Sequence, residues 1–101
     1  MSDEKRLLAF VVSEEQDQIF LQLDKEGIEI LMRSLERIKK HLDKGELEHE
    51  HLFSEDWGGW ELSLSDQVDK GKGKPIHHVK IYGWTDEWAD KNGFDRTSIE
   101  H

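Results

Sequence analysis

At 101 residues, with 37% charged and 35% hydrophobic side chains, the chain is long enough for one modest core and too short for two, while four tryptophans and four phenylalanines exclude the aromatic-poor composition of a disordered segment. A net charge of −9 disfavours nucleic acid as a partner and favours a basic protein. The absence of cysteine removes disulfides and thiolate metal sites, no stretch of roughly 18 apolar residues marks a membrane span, and MSDEKRLLAF at the N-terminus lacks the apolar run of a signal peptide.

A cytoplasmic, membrane-free single domain over residues 1–101 is therefore expected, with an ordered core over about 6–92 and a polar C-terminal tail. Leu7 to Ser13 is a short apolar run with β-branched residues, and Gln18 to Leu23 alternates, with Ile19, Leu21 and Leu23 on one side. With the polar SEEQD turn between them they read as a β-hairpin whose first strand is buried on both faces. The period then changes. Ile28, Leu31, Met32, Leu35, Ile38 and Leu42 fall at helical spacing, Asp24 is placed to cap the helix, and Gly45 to take a left-handed stop after it. This stripe is expected to cover the sheet, with Leu35 facing it from mid-helix.

Period two returns from Leu47 to Phe53, placing His49, His51 and Phe53 on one side and Glu48, Glu50 and Leu52 on the other. Trp57, Gly58, Gly59 and Trp60 make a tight turn, and Glu61 to Ser65 reads as a further strand. DKGKGKP, from Asp69 to Pro75, is a solvated loop; no helix start or GK[ST] makes it a phosphate loop. Ile76 to Trp84 reads as the last strand, and Thr85 to Trp88 as a capped helical turn ending at Asn92-Gly93. The expected fold class is α+β: an antiparallel sheet of four to five strands with one long amphipathic helix packed on one face, in ββαβββ order.

The acids are unevenly placed. From Glu46 to Asp69 eight carboxylates occur with no lysine or arginine. Within that run Glu48, Glu50, Glu55, Asp56 and Glu61, with Trp57 and Trp60, are the candidate partner-binding residues, because aromatics ringed by charge are common interface anchors. His49 and His51 share a strand face, and either His77 or His78 on a later strand, with His78 preferred, could join them in a metal- or small-ligand-binding module if that strand lies adjacent, an alternative reading. Glu48 and Glu50 point to the opposite face and cannot complete that set. No nucleophile motif, cofactor glycine pattern or HExxH frame is present, so no catalytic residue, cofactor or enzymatic activity is expected.

The order of these elements, from the helix DKEGIEILMRSLERIKKHL through EHEHLFSEDWGGWELS to HHVKIYGW, resembles the immunity protein 32 family of bacterial polymorphic toxin systems. The resemblance covers most of Leu7 to Trp84. It is carried by His51, Leu52, Trp57, Gly58, Gly59, Glu61, Leu62, His78, Ile81, Tyr82 and Trp84; Trp60, between GG and EL, and the lysine-glycine loop depart from the family pattern. It implies a small cytoplasmic α+β protein that binds and neutralises a cognate toxin domain, in systems where nucleases are frequent among the toxins; the acidic run suggests that it would do so by occluding a basic cleft.

Overall fold

The computed structural model describes residues 6–68 and 70–94. Its class is α+β, as expected. Strand β1 (Leu8–Val12) and strand β2 (Ile19–Leu23) pair antiparallel in unbroken register, Leu8 opposite Leu23 and Val12 opposite Ile19. The Ser13 hydroxyl closes the connecting turn by accepting from the N–H groups of Asp17 and Gln18, and Gln16 there takes a positive φ of 64°. On one face of the hairpin Leu8, Phe10 and Leu23 pack into the core, while Leu21 on the same face is exposed. On the other, Ala9 and Val11 are fully buried, covered where Gly73 and the Asp66 carboxylate close over Val11. β1 is thus enclosed from both sides, which its uninterrupted apolar sequence demanded.

Helix α1 (Lys25–Leu42) starts where Asp24 accepts a 2.8 Å hydrogen bond from the Gly27 N–H, satisfying one of the orphan donors of the first turn. Its register departs from the apolar stripe. The residues it buries are Gly27, Ile30, Ser34 and Ile38, whereas Leu35 is 46% exposed and Ile28 and Met32 are also exposed. Small residues dictate this rotation. A Cβ on Gly27 would stand 1.8 Å from the Leu7 carbonyl oxygen, so only glycine lets the helix reach the start of β1. Ile38 in turn lies where a side chain on Gly83 would be, 2.4 Å from that position. Close backbone approach at two glycines fixes the face, and the outer leucine and methionine are left uncovered.

Strand β3 (Glu48–Phe53) pairs antiparallel with strand β5 (His78–Gly83), while strand β4 (Lys74–Pro75) pairs with β1. The single sheet of four to five strands expected from sequence is therefore two antiparallel sheets, ordered β2-β1-β4 and β3-β5. The division falls at Ile76 and His77. The Ile76 N–H donates to Phe10 and the His77 carbonyl accepts from Ser54, so the chain leaves β1 and joins β3 within two residues of Pro75, which has no N–H to extend the ladder. The strand expected over Glu61 to Ser65 is also absent. Leu62 donates to Phe53 and Ser63 to Leu8, one bond to each neighbour, which forms a seam and an isolated bridge with Ser54 but no ladder.

Leu8, Ile30, Leu52 and Leu62 form the core, with Phe10, Leu23, Leu31, Val79 and Ile81 packed around them. Helix α2 (Asp86–Lys91) is capped by Thr85, whose hydroxyl accepts from the Trp88 N–H, matching the capped turn read from sequence. Trp84, Trp88 and Phe94 gather against one another beside it. The polar tail falls, from residue 95 onward, outside the described residues. Among the described residues no helix is long and apolar enough to cross a membrane.

Candidate functional site

Alternation along β3 and β5 sorts their side chains cleanly. Glu50 and Leu52, with Ile81 and Val79 opposite them, turn to the helix; His49, His51 and Phe53, with Tyr82, Lys80 and His78 opposite, turn outward. Five of those six outward positions carry rings. His51 stacks on Phe53 at 5.6 Å and 6°, His78 on Phe53 at 4.3 Å and 13°, and His49 meets Tyr82 at 5.8 Å. Lys80 holds its ammonium 4.9 Å from the Tyr82 ring centre. Parity placed His49 and His51 on one face, and the pairing of β3 with β5, which the sequence could not establish, brings His78 beside them.

The contact between two of them is specific. His51 Nδ1 lies 2.9 Å from His78 Nε2, a hydrogen-bond distance that needs one nitrogen protonated and the other bare. Loss of water among the crowded rings, then the charge of Lys80 and of the neighbouring histidines, pushes the His51 pKa below its ordinary value. His51 Nδ1 and His78 Nε2 are thus engaged with each other. Among the described residues no group of three or more histidine, aspartate or glutamate side chains is arranged to hold a metal ion.

At the end of β3 the chain enters a single 3₁₀ turn at Glu55–Trp57, closed by Gly58 at φ 90°. Gly59 follows against the Phe53 carbonyl, its position for a Cβ 2.7 Å from that oxygen. The left-handed φ of Gly58 and the close approach at Gly59 turn the chain outward, leaving Trp57 58% and Trp60 51% exposed. Neither ring is loose. Trp57 stacks on His77 at 5.2 Å and 10°, and His77 is itself held by the Ser54 hydroxyl at 2.8 Å. Trp60 carries the Arg6 guanidinium 5.3 Å above its ring, and Arg6 also donates to the Trp60 carbonyl.

The five candidate carboxylates divide. Glu55 and Asp56 are exposed beside Trp57. Glu61 turns inward and accepts from the Phe53 N–H at 2.9 Å, bracing the turn. Glu50 receives a two-pronged pair of bonds from Arg37, at 2.9 and 3.2 Å, which holds the guanidinium firmly protonated. Glu48 is half-buried on the helix side. Sequence reasoning placed Glu48 and Glu50 on the strand face opposite the histidines but offered Glu50 and Glu61 as partner-binding groups and missed the bonds they make within the chain; Arg37 and Glu50 lie on different elements, and only packing joins them. It also missed His77 as the base of Trp57 and Lys80 as part of the ring face.

Comparison of the chain with protein-family models, characterised proteins and solved structures finds no match.

Proposed function

We propose that this chain is an immunity protein, a non-catalytic inhibitor that binds a cognate bacterial toxin domain and covers its basic active-site cleft. The observation that carries this reading is the turn from Glu55 to Trp60: two half-exposed tryptophans, each backed by a stacked or cationic neighbour, beside two exposed carboxylates. Pre-ordered aromatics lose little freedom on binding, which is the property of an interface anchor. The carboxylates would meet lysines or arginines that otherwise hold a substrate's phosphate. The order of motifs, which resembles that of the immunity protein 32 family, supports the same reading.

The test is co-expression with the toxin domain encoded beside the chain. The parent chain restores growth. Trp57→Ala, and the paired reversal Glu55→Lys with Asp56→Lys, abolish rescue while circular dichroism shows an intact fold. Full rescue by both variants would remove the turn from the interface and with it the support for this reading.

A further inference from the structure

Among the described residues, strand β2 lies at the edge of its sheet and pairs with β1 alone. Such an edge presents free backbone donors and acceptors, and proteins ordinarily block one with lysine, proline, a bulge or a covering segment. Ile19-Phe20-Leu21-Gln22-Leu23 has no charge and no proline, and its register with β1 is unbroken. Ile19 is 65% and Leu21 41% exposed on one face. On the other face Gln22 is anchored, donating to Asp66 and accepting from the N–H groups of Gln67 and Val68. The strand is tethered from behind through Gln22, and among the described residues no strand pairs with its outer edge.

We propose that β2 pairs antiparallel with β2 of a second copy of this chain, about a two-fold axis at Leu21. Parity selects the register, because a shift of one residue would set Ile19 and Leu21 against the opposite face of the partner strand. Among registers of correct parity, the one centred on Leu21 pairs all five residues. Ile19 then opposes Leu23 of the second copy, Phe20 opposes Gln22, and Leu21 meets its equivalent. The same register carries Asp17 toward Lys25 of the second copy at both ends of the paired strands. Charge favours this occupant. In a chain of net charge −9 the strand itself is neutral, so it does not select a basic partner, while a second copy supplies a strand of equal length, equal alternation and reciprocal end charges. Two-fold contacts of this isologous kind close on themselves and stop at the dimer.

The contact is smaller than the roughly 800 Å² per partner of a standard interface, so association is expected in the range of about 10–100 µM. Sedimentation velocity and light scattering across concentrations bracketing that range should show the mass rising from 11.9 kDa toward twice that value. Leu21→Lys, which sets two ammonium groups face to face, and the more exposed Ile19→Lys should each hold the chain at monomer mass with an unchanged far-ultraviolet spectrum. If one variant unfolds, the other decides. Asp17→Lys and Lys25→Asp should each weaken the dimer several-fold, and the double exchange should restore it. A chain that stays monomeric well above that concentration range overturns the proposal. So does a dimer indifferent to both β2 lysines but dispersed by Met32→Glu, which would place the contact on the exposed side of α1.

Discussion

Gly27 and Ser34 decide more about this fold than the leucines around them, because they set which face of α1 the sheet sees. Ile38, 5% exposed, fills the space over Gly83, so Ile38→Ala should cost roughly 2–5 kcal/mol in chemical denaturation. Leu35→Ala should cost under about 1 kcal/mol, since its side chain already faces water. Equal losses would show that the buried face is misassigned. The His51–His78 pair makes a second prediction at this scale. The His51 pKa is depressed in the folded chain, so its contribution to stability is fully present above the ordinary histidine value of 6.5 and is lost as pH falls through the lower folded value. Below 6.5 the unfolded chain takes up the proton first. His51→Phe, keeping a ring against Phe53, should flatten the fall in melting temperature in that window. An unchanged profile would assign the acid sensitivity to other groups.

Among the elements, the turn after β3 depends on its two glycines for different reasons. Gly58 needs its positive φ and has open space where a Cβ would be, whereas Gly59 lacks room because Phe53 backbone stands against it. Gly58→Asn should therefore be nearly neutral, asparagine tolerating the left-handed region. Gly59→Ala must displace the strand end and should lower the melting temperature by several degrees or more. If Gly59→Ala melted like the parent chain, the close approach would be absent in solution. This contrast also measures how much of the structure was legible beforehand. The hairpin, the helix with its Asp24 cap, β3, β5 and the Thr85 cap were readable because alternation and capping are local. Helix rotation was not, because apolar spacing counts side chains and here the small residues face inward. The Glu61 to Ser65 strand was misread for a related reason: its alternation is real, but each N–H goes to a different neighbour. Of the candidate site, the shared face of His49 and His51 followed from parity, while the arrival of His78 beside them and the bonds of Glu50 and Glu61 depended on which segments packing brought near.

At the scale of the whole molecule, the acid excess is more focused than the count of carboxylates implies. Arg37 pairs with Glu50 and also feels the charge of Glu61, which is half-buried and turned toward the Phe53 N–H, so the acids fully exposed beside Trp57 are Glu55 and Asp56, and they contribute most to the outward field there. Exposed charges steer encounter and are screened over about 8–10 Å at physiological salt, while charges already paired inside contribute little to steering. For the toxin complex proposed above, the association rate should therefore fall steeply as salt rises from low to physiological, with the dissociation rate changing less. Neutralising Glu55 and Asp56 together should remove most of that salt dependence. Glu50→Gln should leave it nearly intact and instead lower stability, because it weakens the grip of Arg37. Trp57→Ala should raise the dissociation rate without altering the salt slope, since an anchoring ring acts after encounter. Stopped-flow association at several salt concentrations separates these outcomes. A salt slope carried by Glu50 as strongly as by Glu55 and Asp56 would mean that the Arg37 pair opens before binding, and that the interface extends from the turn along the helix side of β3.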